Sequence, residues 1–139
     1  MPTLTTDHKN KPYVDTYDKG IGLGDTNNCT VVALATVLGI DYSKAKLFAE
    51  KKAGRMRGKG LYDDQIEDML SSLKSYKVEV VKLNGKTYLD SFCKDNDIGR
   101  FYVLVSSHAL CIINGVIYDH SYKGKRVLKK VYKISKIED

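Results

Sequence analysis

A cysteine stands at position 29, where a polar run changes into an apolar one. In the stretch GDTNNCTVVALATVLG (24–39), the DTNN tetrad (25–28) directly precedes Cys29 and consists of residues that cap helices well. If a helix begins here, its unpaired backbone N–H groups and the positive end of its dipole face the sulfur. That environment lowers a thiol pKa and produces a nucleophile. The alternative is a structural cysteine that falls near a helix start.

An Asn-Gly pair at 114–115, between two apolar runs, predicts a two-residue β-hairpin with a type I′ turn. Side chains alternate between the faces of a strand, so this register places His108 and Asp119 on one face, diagonally about 7–8 Å apart. His120 then points to the other face. The expected cross-strand pairs are Ile113 with Val116, Ile112 with Ile117, Cys111 with Tyr118, and Leu110 with Asp119.

Together, Cys29, His108 and Asp119 form a possible thiol, base and acid set. In nucleophilic acyl transfer, the base takes the thiol proton, while the acid holds the imidazole in one tautomer and stabilises its charged form. Each residue also has a structural explanation: core packing for the cysteine, a strand end for the histidine and hairpin closure for the aspartate. The occurrence of all three in a compatible arrangement favours catalysis.

The elements that would position these residues follow from periodicity. An apolar helix starting near Cys29 and ending at Gly39 is predicted to be central and buried. Further helices are predicted over 43–53, 62–74 and 87–96, and strands over 77–83, 100–107, 108–113, 116–121 and 126–134. Helices followed by an antiparallel sheet indicate an α+β domain. The 139 residues fit one domain, with 1–24 as an extended N-terminal arm.

Composition limits the function classes. With 42% hydrophobic and 29% charged residues, the chain has the balance of a folded soluble domain. No apolar run reaches membrane-spanning length, and the polar N-terminus lacks a signal-peptide core, so we expect a cytoplasmic protein without membrane contact. Three cysteines with no CxxC spacing exclude a full disulfide framework and give no close metal-ligand motif. No metal or organic cofactor is implied.

The net charge of +6 raises the possibility of nucleic-acid binding. Basic residues are dense over 51–60, which resembles a flexible loop able to contact an acidic partner, and over 123–130, which resembles a solvated strand face. No nucleic-acid-binding motif accompanies either block. Surface charge is therefore favoured over nucleic-acid recognition.

Two segments resemble a known family. TNNCTVVALATVLGIDYSKAKLFAE (26–50) resembles the nucleophile helix of small papain-like cysteine peptidases, and is particularly similar to uncharacterised bacteriophage proteins with an Asn-Asp-Cys-Val-Val/Ile-Arg-Ala-Leu-Ala run. GRFYVLVSSHALCIINGVIYDH (99–120) resembles their GRY-x-V-x-x-x-GHA-x-x-V-x-DGV-x-x-D segment. The order Cys, His, Asp is the same.

The resemblance implies a papain-like fold, with Cys29 as nucleophile, His108 as base and Asp119 as orienting acid. It also suggests Asn27 as an oxyanion donor beside the Cys29 backbone N–H. Three positions depart from the family pattern: Asn28 replaces an aspartate, Val32 an arginine and Ser107 a glycine. In addition, GIGLG, upstream of the cysteine, offers no counterpart to papain's oxyanion glutamine.

The expected activity is hydrolysis or acyl transfer at a peptide, isopeptide or amide bond of a protein or peptide substrate, in the host cytoplasm if the chain is phage-encoded. The main rival is a catalytically inactive papain-like scaffold that binds and modulates a host protein, since a fold alone does not secure activity.

Overall fold

The computed structural model describes residues 4–7, 11–16, 28–56, 59–119 and 126–137. Within these ranges the chain forms four helices and seven strands. The helices are α1 (Cys29–Leu38), α2 (Tyr42–Ala53), α3 (Asp63–Ser71) and α4 (Leu89–Asp95). The strands are β1 (Leu4–Asp7), β2 (Lys11–Asp15), β3 (Tyr76–Val81), β4 (Arg100–Val105), β5 (His108–Ile113), β6 (Val116–Asp119) and β7 (Lys130–Lys136).

The strands form one sheet in the order β1-β2-β6-β5-β4-β7-β3. The five strands from β6 to β3 pair in antiparallel fashion, and β2 joins β6 in parallel. This arrangement is a mixed α+β fold, and it confirms the class expected from helices preceding a sheet.

Apolar side chains on the two faces of the sheet belong to separate layers. On one face, α1, α2 and α3 pack against residues such as Tyr102 and Ala109. On the other face, α4 packs against residues such as Phe101 and Leu110. The predicted central helix is confirmed, because eight consecutive residues of α1 from Thr30 onward are buried.

Gly39 and Arg100 determine how α1 ends. Gly39 adopts a left-handed conformation (φ 68°), as expected for the residue after a helix. The guanidinium of Arg100, on β4, donates to the carbonyl oxygens of Thr36 and Val37, at 3.4 and 3.1 Å. A cation at the negative end of the helix dipole is favourable, so Arg100 anchors this end of α1 to the sheet.

The hairpin at Asn114-Gly115 has the predicted register. Both turn residues have positive φ, 49° and 77°, as a type I′ turn requires. The observed pairs are Ile113 with Val116, Ile112 with Ile117, and Cys111 with Tyr118. Strand β6 is described only up to Asp119, so the expected continuation to residue 121 lies outside the described residues.

The N-terminal segment, predicted as an extended arm, contains two strands among its described residues. Strands β1 and β2 form a hairpin, and β2 pairs with β6 so that Asp15 lies opposite Asp119. Just beyond this pair, the Thr16 N–H donates to the Asp119 carbonyl at 2.9 Å. The N-terminal segment therefore supports the strand that carries the acid.

The basic segment 51–60 is divided between the helix predicted over 43–53 and the flexible loop predicted after it. Helix α2 continues through Lys51 and Lys52 to Ala53, and Arg55 is buried rather than presented to solvent. Two lysines in the last helical turn are favoured by the helix dipole, which explains why the basic run extends the helix.

Candidate active site

Cys29 is the first residue of α1, and Asn28 occupies the N-cap position. The Asn28 carbonyl accepts the Val32 N–H at 2.9 Å, which begins the helical hydrogen-bond pattern. The Asn28 side chain makes no capping hydrogen bond. The predicted helix start is confirmed, whereas the capping interaction that suggested it is absent. Backbone N–H groups of Thr30 and Ala109 donate to the Cys29 sulfur instead.

His108 and Asp119 are brought together as the hairpin register predicts. The distance from His108 Nε2 to Asp119 Oδ1 is 2.5 Å, and the Asp119 side chain is only 3% exposed. The imidazole also hydrogen-bonds the Cys29 thiol. Because Nε2 faces the carboxylate, Nδ1 is the ring nitrogen left for the sulfur. His108 thus links the thiol to the acid.

The positions of these residues in their elements explain how they meet. His108 begins β5, and Cys29 begins α1. Strand alternation puts His108 on the face covered by α4, whereas α1 lies on the opposite face. A residue at the start of its strand can reach around the end of the sheet. The thiol, which packs against the layer on the α1 face, and the imidazole therefore meet at this end of the sheet.

The electrostatics of the pair favour charge separation. Burial alone would lower the pKa of His108, but hydrogen bonds and charge from Asp119 and Cys29 raise it to about 9. Burial would likewise raise the pKa of Cys29. Its hydrogen bonds to His108 and to the Ala109 and Thr30 N–H groups, with the imidazolium charge, instead lower the pKa below 9.0. Both shifts favour a thiolate beside an imidazolium over the neutral pair.

The thiol and imidazole open onto a cleft of about 620 Å³. One wall is the segment from Gly60 to Asp64, at the start of α3, and the other is the end of the sheet from Leu104 to Ala109. Lys129 Nζ pairs with Asp63 Oδ2 at 3.0 Å, and both residues line the cleft. The sequence did not predict this cleft, because its lining combines distant segments of the chain. Asp63 and Lys129, for example, are 66 positions apart.

Ser107 directly precedes the histidine and has a strained backbone conformation. Its φ is 56°, in the left-handed region that costs a residue with a side chain roughly 1–2 kcal/mol. It occupies the two-residue turn between β4 and β5, next to His108. Glycine adopts this conformation without strain, so a glycine at this position would avoid the cost.

A buried tyrosine supports the start of α1. Tyr102 is fully buried in the core, and its hydroxyl donates to the Thr30 carbonyl at 2.9 Å. Burial raises the pKa of Tyr102 well above 10.0, which keeps the hydroxyl protonated as a donor. This bond ties the first turn of α1 to β4, directly beside Cys29.

Two residues of the sequence prediction lie outside the described residues. They are Asn27, the suggested oxyanion donor, and His120, expected to point away from the thiol. Among the described residues, no cluster of three or more His, Cys, Asp or Glu side chains could hold a metal ion. None of the described helices has the length and apolar character needed to cross a membrane.

Comparison with known proteins identified neither a family nor a structural relative of the chain. A scan of protein-family models and searches of curated proteins and of solved structures found no match to the chain.

Proposed function

We propose that this chain is a papain-like thiol hydrolase or acyltransferase that uses Cys29, His108 and Asp119. The observation that carries the proposal is the single imidazole that hydrogen-bonds both a thiol and a buried carboxylate at the mouth of a cleft. A structural cysteine would need neither a charged partner nor a position on a cleft. Both features belong to activated nucleophiles.

The chemistry follows from the positions of the three groups. The Cys29 thiolate attacks the carbonyl carbon of a peptide, isopeptide or amide bond, forming a tetrahedral intermediate. The protonated His108 then gives its proton to the leaving amine, and a thioester remains on Cys29. Water, or an acceptor amine, attacks the thioester while His108 takes the proton of the attacking group. Asp119 holds the ring orientation through both steps.

Helix α1 also contributes to stabilising the intermediate. The backbone N–H of Cys29, at the first helical position, has no carbonyl within the helix to receive it. Such an N–H, next to the nucleophile, suits the developing oxyanion. Asn27 remains the proposed second donor, from the sequence resemblance. The cleft volume of about 620 Å³ is within the range typical of small-molecule and short-peptide sites.

The test is labelling with a broad thiol-directed acyl probe, followed by mass spectrometry of the intact protein and its peptides. We expect one adduct per chain, on Cys29, in the wild type. Cys29→Ala should take up no adduct. Cys93→Ala is the matched control, because it removes a half-buried thiol from α4, and it should label like the wild type.

Two outcomes would contradict the proposal. Labelling of Cys29→Ala at the wild-type level would show that another group is the nucleophile. A wild-type protein that takes up no probe, although Cys29 reacts with a small alkylating reagent, would favour the rival of an inactive scaffold that binds a partner.

A further inference from the structure

Strand β3 forms one end of the sheet and leaves one edge open. Its inner edge pairs with β7 over six consecutive residues without a bulge, and among the described residues no strand pairs with its outer edge. Long, regular edge strands are templates for another strand. Val80, on this strand, is 59% exposed, so β3 presents an apolar side chain to solvent.

The direction of each backbone group on β3 can be assigned. The Ile137 N–H donates to the Ser75 carbonyl at 2.9 Å, so Ser75 directs its polar groups toward β7. In an antiparallel ladder this direction alternates along the strand. Residues 77, 79 and 81 therefore also face β7. The N–H and C=O groups of Tyr76, Val78 and Val80 face the open edge.

These directions and the charges select one register for a second copy of β3. A two-fold axis at Val78 pairs Tyr76 with the partner's Val80, and every outward N–H and C=O of these residues finds a partner. Lys77 then lies opposite the partner's Glu79, in a non-hydrogen-bonded pair, where side chains are closest. Shifting the axis by one residue places Lys77 or Glu79 opposite its own copy.

The two faces of β3 differ in polarity, and both are compatible with antiparallel pairing to a second copy of the strand. Tyr76, Val78 and Val80 line a groove of about 230 Å³ that also includes Leu70, Leu73 and Tyr132. On the other face, Lys77 and Glu79 form an exposed pair at 3.6 Å within the strand. Such a pair contributes little by itself, so both side chains can exchange partners across a two-fold axis.

We propose that the chain forms a symmetric dimer by antiparallel pairing of β3 with β3 of a second copy. The axis passes through Val78, and two reciprocal Lys77–Glu79 pairs fix the register. This surface lies outside the cleft of Cys29, and the proposal does not depend on the chemistry proposed there.

Sedimentation equilibrium of the full chain tests the dimer and its register. The wild type should show a reversible monomer–dimer equilibrium. Lys77→Glu places like charges opposite each other at two sites, and should raise the dimer Kd by about tenfold or more. The double swap Lys77→Glu with Glu79→Lys restores opposite charges and should return the Kd toward the wild-type value. Lys94→Glu, which makes the same charge change on α4, should leave the Kd unchanged.

Circular dichroism of each variant verifies that the fold is retained, since the substituted side chains are exposed. A wild type that stays monomeric up to about 1 mM would overturn the proposal. So would a dimer that Lys77→Glu does not weaken, or a double swap that remains as weak as the single change.

Discussion

Replacing Asp119 with asparagine should leave the protein folded and lower acyl transfer at neutral pH by about 10²-fold or more. The buried carboxylate is one of the two groups that raise the pKa of His108 to about 9. An amide keeps the shape but loses the charge that stabilises the imidazolium. A smaller fraction of His108 is then protonated, so less of it can donate a proton to the leaving group. The thiolate also loses part of the positive charge that stabilises it.

The measurement is the rate of Cys29 acylation at pH 7, compared among variants of matched fold stability. Asp68→Asn, which makes the same change on an exposed part of α3, should behave as the wild type. His120→Ala should also do little, because strand alternation in the sequence predicts that this residue and His108 lie on opposite faces. If Cys29 is acylated at the wild-type rate in Asp119→Asn but slowly in His120→Ala, the assignment of His108 as the base is wrong.

The pH profile of acyl transfer should be bell-shaped, with its upper limb near pH 9. On the acid side, the rate should rise as Cys29 loses its proton, and this occurs below 9.0 because the imidazolium and two N–H groups stabilise the thiolate. On the alkaline side, the rate should fall as His108 loses its proton, at about 9. The favoured ion pair exists between these two limits.

Simple alkylation of Cys29 separates the two limbs. An alkylating reagent needs only the thiolate, so its rate should rise with pH in the same way but show no fall above 9. His108→Ala removes the largest of the contributions that lower the pKa of Cys29, so the acid limb should move to higher pH. An acid limb that stays in place in His108→Ala would show that the imidazole does not control the thiol.

Local signals in the sequence were sufficient to predict that His108 and Asp119 lie together on the hairpin. The Asn-Gly turn fixes its own geometry through positive φ, and strand alternation then decides which side chains share a face. The start of α1 at Cys29 and its end at Gly39 were likewise encoded within a few residues. These features depend on neighbours along the chain, so a single sequence shows them.

Features that depend on distant contacts could not be predicted in the same way. Strands β1 and β2 are short and carry lysine, proline and aspartate, so they have no clear alternation, and β2 exists as a strand through pairing with β6. The cleft wall from Gly60 to Asp64 depends on how α3 packs. The hydrogen bond from Tyr102 to the Thr30 carbonyl spans 72 positions. No local pattern identifies such contacts.

Site-resolved alkylation of the three cysteines in the folded protein, at pH 7, tests the central claim most directly. Cys29 should react about 10²-fold faster than the other two, because a thiolate stabilised by an imidazolium faces a cleft. Cys111 is fully buried, and Cys93 packs against the apolar layer on the α4 face. A Cys29 rate far above the others, lost in His108→Ala, is the predicted result. Similar rates for the three thiols, or a fast Cys29 that is indifferent to His108, would contradict the account.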